Sequence, residues 1–583
     1  MNDSQHKAHR DPTFFDSVLF YVKTRILIMD RIWRERGQKM LIHPKGKSLR
    51  EEATIAEVKA PLWTQISEAE FPLTAGKVQN LRVSCLALDG IEVPAGEVFS
   101  FWKQLGRTTR KKGFTEGREL RSGCLIPSLG GGLCQVSGLL HAAAIDAGLE
   151  VVEKHEHSRM LPGSDLPPER DATVYWNYVD LRFRAPFAWR LQMKLTTTDL
   201  VVSIHAVHED AASKKVAAPV VGLPVRAAAD GDCLTCGVVS CFRHPSATNS
   251  HAPTLGHSAY LLEGSWPEFQ EWCGRHAHAG DAWFTPLDGL RWKKPNYSWK
   301  APDGVSIKHQ TWMTLLRSWK QRKLPAQGAV RQQFLLESQR SLAEKMAREI
   351  DPKARHLVVS QTLLPHLWRA GVLGGRTFDV LVNRWPMKEL QRRLDEAAAR
   401  HPESVTLADF RASDDLVHAE SEALAASARI VTPHRSIAGH FGSKSILLDW
   451  KFPEAKAQVS QSSKSRSWFF PASALGRKGI YEIAEAFRDT DRELLILGRA
   501  KEGVGDILKG VKHRTGSVED ISNCAGLVIP AWVEHEPRLA LKALAMGLPV
   551  IASKACGLAA HPLLKEIDEG DVEGLKRALG EIW

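Results

Sequence analysis

The chain has 583 residues, 43% hydrophobic and 25% charged, which is ordinary globular material but too much for one hydrophobic core, so roughly three or four domains are expected. Its 78 Lys+Arg against 67 Asp+Glu give a net charge of +11. That suits an anionic partner such as a nucleotide-sugar, a lipid phosphate or a membrane surface, although a solvated, mildly basic surface is the preferred explanation of so small an excess. No stretch approaches the roughly 18 uninterrupted apolar residues of a membrane-spanning helix, and the N-terminus lacks the pattern of a secretory signal. The 9 cysteines are too sparse for a secreted disulfide framework. These features point to a cytoplasmic protein with reduced thiols, and no nucleic-acid partner is expected.

Residues 1–12 are polar. Val18, Val22, Ile26, Met29 and Trp33 then recur at helical spacing, with Lys23, Thr24, Arg25 and Arg31 between them. This is an amphipathic helix whose apolar stripe is expected to dock on its own domain; the alternative is peripheral contact with an anionic membrane. From about Arg82 to Ala206, short β-type runs (LRVSCLAL, TVYWNYVDLRF, RLQMKLT) surround one clear helix beginning near Cys134, which reads as an α+β domain. A stretch rich in Ala, Pro, Cys, His and Ser, from about Ala211 to Gly256, has no hydrophobic period and marks a boundary. From about Val330, the runs RHLVVS, FDVLVNRW, ARIVTPH, RELLILG, AGLVIP and LPVIAS alternate with helical patterns, as parallel sheets covered by helices do. The expected division is a helical and extended segment (1–74), an α+β domain (75–206), a Cys/His-rich linker (207–256), a connecting segment without assigned elements (257–329), and two α/β lobes (330–455 and 456–583).

In GGGLCQVSGLLHAAAIDAGLEVVEKHEHS, three glycines give way directly to a helical pattern, so Cys134 sits in the first turn of a helix. Unpaired N–H groups and the positive end of the helix dipole favour a thiolate there, and glycines would let a substrate approach the backbone. His157 falls just after a predicted strand and Asp171 opens the next. Cys, His and Asp in this order suit a cysteine acyl-transfer enzyme, in which His activates the thiol and Asp orients His. A small buried Cys among glycines, with His157 and Asp171 serving turns, accounts for the same residues. The blocks PAGEVFSFWKQLG (94–106), GGGLCQVSGLLHAA (130–143), EKHEHS (153–158) and RDATVYWNYVDLRF (170–183) resemble the successive motifs of the VanW family, named for an accessory protein of vancomycin-resistance operons. The resemblance spans roughly 75–205. It implies that Gly130, Gly131, Gly132, Cys134, Gln135, His157, Asp171 and Asp180 occupy the family's recurring positions, in a cleft that catalyses or binds a cell-wall peptide or precursor.

The linker sequence DCLTCGVVSCFRH places Cys233, Cys236, Cys241 and His244 within twelve residues. This is metal-ligand spacing, and a structural zinc held by three thiolates and an imidazole is expected. An iron–sulfur cluster fits less well, because it is usually held by four cysteines.

Near the C-terminus, SWFFPASALGRKGIYEIAEAFRDTDRELLILGRA reads strand, loop, helix, strand, with Arg477, Lys478 and Gly479 just before the helix; two cations and a helix N-terminus are what a diphosphate needs. In AGLVIPAWVEHEPRLALKALAMGLPVIAS, Glu534 and Glu536 stand at the carboxyl end of a strand, where open α/β sheets bind ligands. Both segments resemble the nucleotide-sugar lobe of GT-B retaining glycosyltransferases, strongly over 460–560, and residues 330–450, with VTPHRSIAGHF, fit the acceptor lobe of that fold. The family typically has two glutamates eight residues apart; Glu534 matches the first, but Lys542 stands at the second. Glu536 compensates, Lys542 meets a different donor group, or transfer activity has been lost.

The fold expected is therefore multidomain, an α+β VanW-like domain followed by a GT-B-like pair of Rossmann-type lobes. The leading function is transfer of a sugar from a nucleotide-sugar donor to a cell-envelope or secondary-metabolite acceptor, without a protein-bound catalytic metal. Arg477, Lys478 and the helix end would hold the phosphates, and Glu534 would position the donor. The alternatives are cysteine-dependent acyl transfer through Cys134, His157 and Asp171, or a non-catalytic binding scaffold near the membrane.

Overall fold

The computed structural model describes residues 14–36, 41–63, 70–121, 124–156, 170–207, 257–325, 328–409, 411–454, 466–498, 502 and 507–581. They fall into two units, one drawn from Met1–Gly256, Ile350–Arg355 and Ala370–Arg376, the other from His257–Glu349, His356–Arg369 and Thr377–Trp583.

The first unit is α+β. In chain order it contains α1 (Phe14–Arg34), β1 (Thr54–Pro61), α2 (Phe71–Leu88), β2 (Glu92–Val93), β3 (Val98–Ser100), α3 (Phe101–Leu105), β4 (Glu116–Arg121), β5 (Cys124–Leu129), α4 (Leu133–Asp146), β6 (Glu150–Glu153), β7 (Arg182–Arg184), β8 (Trp189–Leu195) and β9 (Asp199–His205). An antiparallel sheet of order β1-β9-β8-β2 packs against α2 and α4, beside a three-stranded sheet β3-β7-β6 and the hairpin β4-β5. LRVSCLAL, which reads as β-type in the sequence, is instead the end of α2. Ala75, Val78, Leu81, Cys85 and Leu88 are all buried at helical spacing, so tertiary burial overrides the β-rich composition. TVYWNYVDLRF yields only an isolated bridge between Tyr175 and Val179, around Asn177 at φ 60°, and then β7.

Helix α1 docks on this unit by the face opposite to the one expected. Thr24, Leu27, Ile28, Arg31 and Glu35 point inward, whereas the apolar stripe is exposed: Val18 42%, Val22 46%, Ile26 58%, Met29 63% and Trp33 70%. Electrostatics fixes the rotation. Arg31 donates two hydrogen bonds to Glu153 (2.8 and 2.7 Å) and one to the Tyr178 carbonyl (3.0 Å), while Arg182 bridges Glu35 and Asp180.

The second unit holds two parallel sheets. The first runs β12-β11-β10-β13-β14-β15-β16, from β10 (Ser258–Leu261), β11 (Ala282–Thr285), β12 (Ser306–His309), β13 (His356–Ser360), β14 (Thr377–Leu381), β15 (Arg429–Thr432) and β16 (Ser445–Leu447). The second runs β19-β18-β17-β20-β21-β22, from β17 (Ser467–Phe470), β18 (Glu493–Ile496), β19 (Lys512–Thr515), β20 (Gly526–Ile529), β21 (Val550–Ser553) and β22 (Leu564–Ile567). Each sheet starts in the middle, winds outward, then returns to wind the other way. This is the doubly wound order, with its switch points at β10/β13 and β17/β20. The stretch 257–329, without assigned elements in the sequence reading, supplies β10, β11 and β12, so the strands of the first lobe begin at Ser258 rather than beyond residue 330. Each of these strands is only four residues long, too short to show a period; parallel pairing of β10 with both β11 and β13 makes them strands.

Candidate active site between the two lobes

The carboxyl ends of the two sheets meet. At the β17/β20 switch point, residues 471–479 follow β17 and residues 530–537 follow β20. The N–H groups of Trp532 and Val533 both donate to the Arg477 carbonyl (3.1 and 3.2 Å), which binds the loops together. Gly479 has φ +84°, and a Cβ there would lie 2.2 Å from the Pro530 carbonyl oxygen. Only glycine lets the helix Ile480–Phe487 start so close under the neighbouring loop.

Three of the residues singled out in this lobe converge. Lys478 Nζ lies 2.8 Å from Glu534 Oε2, and Glu534 Oε1 accepts the N–H groups of His535 and Glu536 (2.9 and 3.0 Å). Burial pushes the Glu534 carboxyl up, but the charge and hydrogen bond of Lys478 outweigh it and hold the group below its usual value. Arg477 is half-buried, within electrostatic reach of Glu534, Asp409 and Glu502; burial pulls its guanidinium down and the carboxylates partly restore it. Glu536 does not join them. It is 53% exposed and 3.4 Å from Arg538. Lys542, on the helix Arg538–Ala545, is electrostatically coupled to the exposed Glu519.

The first lobe contributes groups that the sequence reading missed. Asn383 and Arg384 follow β14, and His434 follows β15 and caps the helix Arg435–Phe441. His434 Nδ1 accepts the Ile437 N–H (3.3 Å), so Nε2 carries the proton and donates to the Ala555 carbonyl (2.9 Å) in the other lobe. Among the described residues, Asn383 Oδ1, Arg384 Nε and Nη2, and His535 Nε2 are buried without a hydrogen-bond partner. Burial, then the nearby charges of Lys478 and Arg384, push the His535 imidazole well down, leaving it neutral. At the β10/β13 switch point, Glu263 is paired with Arg317 at 2.8 Å. The available signal was positional, since each of these residues except Arg317 and His535 stands within three residues of the end of an apolar run, at the ligand-binding edge of an open sheet.

Burial lowers His434 to about 4, against roughly 6.5 for an unfolded histidine. Between these values the unfolded chain binds the extra proton. The stability that the neutral ring contributes is therefore complete above about pH 6.5 and is lost as pH falls through about 4, at about 1.4 kcal/mol per pH unit. His434→Gln should flatten the acid limb of a urea-denaturation series on the second unit by about one proton; an unchanged slope would refute the assignment.

In the first unit, Cys134 stands in the first turn of α4, as expected, with Sγ 3.5 Å from Thr173 Oγ1. His157 lies outside the described residues, so the proposed triad is not assembled by those described. Asp171 is half-buried, next to the loop whose Arg170 carbonyl meets His141. The three glycines serve packing: a Cβ on Gly131 would lie 2.4 Å from the carbonyl carbon of Gly117 in β4, and Asn80 donates to the Gly131 carbonyl. Gln135 donates to the Pro61 carbonyl (2.8 Å). Asp180 is buried and accepts from Ser100, the Trp102 N–H and Arg182, as a structural anchor does. Cys85, Cys273, Cys524 and Cys556 are buried, whereas Cys134 is half-exposed. Mild alkylation followed by peptide mapping should thus label Cys134 at least about tenfold faster than these four; equal rates would contradict the exposure.

Cys233, Cys236, Cys241 and His244 all lie outside the described residues. Among the described residues, no group of three or more His, Cys, Asp or Glu side chains could hold a metal ion, and no helix is long and apolar enough to cross a membrane.

Residues 76–206 match the family model described as VanW like protein. Over 105 residues the chain is 41% identical to the uncharacterized protein YoaR of Bacillus subtilis (strain 168), covering 18% of this chain and 34% of that protein. Over 126 residues it is 29% identical to the vancomycin B-type resistance protein VanW of Enterococcus faecalis (strain ATCC 700802 / V583), covering 21% and 46%. The chain thus spans between a third and a half of the length of these curated relatives. Among solved structures it is similar to a sucrose-phosphate synthase from Thermosynechococcus elongatus (TM-score 0.37, 13% identity, 56% of this chain and 89% of that one). It is also similar to WaaG, a glycosyltransferase involved in lipopolysaccharide biosynthesis (TM-score 0.32, 14% identity, 56% and 90%). The chain thus carries, at 76–206, a segment that matches the VanW family model and, in its second unit, two doubly wound parallel sheets.

Proposed function

We propose that the second unit transfers a sugar from a nucleotide-sugar to an acceptor of the cell envelope or of secondary metabolism. The observation that carries this reading is the grouping of Arg477, Lys478 and Arg384 around the neutral His535, whose buried Nε2 has no hydrogen-bond partner, where two doubly wound sheets meet. Arg477 and Lys478 would counter the charge that grows on the leaving diphosphate. Asn383, Arg384 and His535 offer buried polar atoms that a bound ligand would satisfy. Glu263 and Arg317, at the other switch point, would orient the acceptor. Glu534 acts through Lys478, holding the ammonium in place, and is a positioning residue.

The VanW-like module is proposed to recruit or further process the acceptor, through Cys134 and the polar groups around it. A structural zinc on Cys233, Cys236, Cys241 and His244 belongs to the same proposal and rests on their spacing. The transfer reading is tested by incubating the full chain with a panel of nucleotide-sugars and measuring release of nucleoside diphosphate. Release that requires Lys478 supports the proposal; no release, together with no detectable binding of any nucleoside diphosphate, overturns it.

A further inference from the structure

Helix α1 carries its apolar residues on the wrong side for a helix that belongs only to its own domain. Its inward face is set by an ion network, in which Arg31, with its side chain 13% exposed, reaches Glu153, and Glu35 reaches Arg182. Burial pushes the Glu153 carboxyl up, but hydrogen bonds from His155 and Arg31 and the charges of Arg31 and Arg182 bring it down to about 2. Glu153 thus stays ionised throughout the physiological range, and its two hydrogen bonds from Arg31 favour this rotation of the helix. Leu19, Tyr21, Ile26, Met29, Ile32 and Trp33 are in consequence 55–70% exposed on the outer face. Several large apolar side chains exposed along one helix face mark a surface that interacts with something.

We propose that this face seats α1 in the surface of an anionic lipid bilayer, lying flat. Three observations select this occupant. Lys23 and Arg25 are exposed on the same helix, and the acidic Asp30 is paired with Arg34, so the charge presented outward is positive. Tyr21 and Trp33, ring systems suited to the boundary between headgroups and acyl chains, stand near opposite ends of the exposed arc. Arg25 lies over the Tyr21 ring, 4.8 Å from its centroid, where its long stem can cover apolar surface while the charge reaches lipid phosphate. At 21 residues the helix is about 30 Å long, and it is not apolar enough to cross a membrane, so contact with lipid would run along its length at the surface. The inference stands apart from the sugar chemistry and does not depend on it.

The test is co-sedimentation of the full chain with vesicles of phosphatidylcholine alone and of phosphatidylcholine with 30% phosphatidylglycerol. The wild type should bind the anionic vesicles about tenfold more tightly than the neutral ones, and 0.5 M NaCl should weaken the binding. Ile26→Glu with Trp33→Glu should reduce binding at least about tenfold while leaving the circular dichroism spectrum and melting temperature unchanged, because both side chains are exposed. Lys23→Glu with Arg25→Glu should remove the preference for anionic lipid. Failure of the wild type to sediment with anionic vesicles overturns the proposal. So does a lipid-free dimer that the Ile26→Glu and Trp33→Glu changes convert to monomer, since the face would then be covered by a second copy.

Discussion

Replacing Glu268 with alanine should lower the stability of the second unit by about 2–3 kcal/mol, less than the cost of orphaning a fully buried charge because its partner Arg538 is partly exposed. Glu268 opens the helix Pro267–His276 in the first lobe, and its side chain is fully buried. It accepts two hydrogen bonds from Arg538 of the second lobe (2.7 and 2.9 Å) and one from the Lys451 N–H (2.8 Å). Arg538 lies over the adjacent rings of Trp266 and Trp450, 5.0 and 5.2 Å from their centroids. The alanine variant would leave that half-buried guanidinium with only its 3.4 Å contact to Glu536, and the Lys451 N–H without its acceptor. Glu268→Gln, which keeps an acceptor but loses the charge, should cost about half as much. Whole-chain melting mixes two units, so hydrogen exchange on peptides covering β10 and Arg538–Ala545 is the suitable measurement. A loss below about 1 kcal/mol would show that the pair does not hold the lobes.

That pair marks the limit of what the sequence could disclose. Its members are 270 residues apart, and neither has a local pattern that points to the other. The runs RHLVVS, FDVLVNRW, ARIVTPH, RELLILG, AGLVIP and LPVIAS were legible because a strand buried on both faces is apolar throughout and ends abruptly. They became β13, β14, β15, β18, β20 and β21. The neighbouring strands SAYL, AWFT and SIKH were not legible, because only the pairing of β10 with β13, of β11 with β10 and of β12 with β11 makes them part of a sheet. The same contrast holds within the site. Arg477 and Lys478 announce themselves before a helix, whereas Arg384 and His535 matter only because folding leaves their polar atoms buried and unsatisfied. Helix α1 is the converse case. Its period was read correctly, but which face turns inward was decided by Glu153, Asp180 and Arg182, at least 119 residues beyond its end at Arg34.

Lys478→Ala should reduce turnover of the best nucleotide-sugar by about 10²–10³, the range expected when one preorganised donor to a developing anion is removed. The ammonium is 19% exposed and held at 2.8 Å by Glu534, so its position is fixed before any ligand arrives. That preorganisation is what makes its charge effective at the transition state rather than in ground-state binding, and the loss should therefore fall mainly on kcat. Lys478→Arg keeps the charge but not the compact geometry and should recover only part of the rate. The alanine variant also strips Glu534 of the charge that offsets its burial, so the carboxyl should titrate higher and the residual activity should shift its acid limb upward in pH. Restoring neutrality with Glu534→Gln in the Lys478→Ala background should recover stability without recovering turnover. Lys542→Glu provides the contrasting arm. Because Lys542 is coupled to exposed Glu519, reversing its charge should change turnover less than about threefold. If Lys542→Glu proves the more damaging change, or if Lys478→Ala retains wild-type kcat, the diphosphate is not held between β17 and β20 and the proposed chemistry of this cleft is wrong.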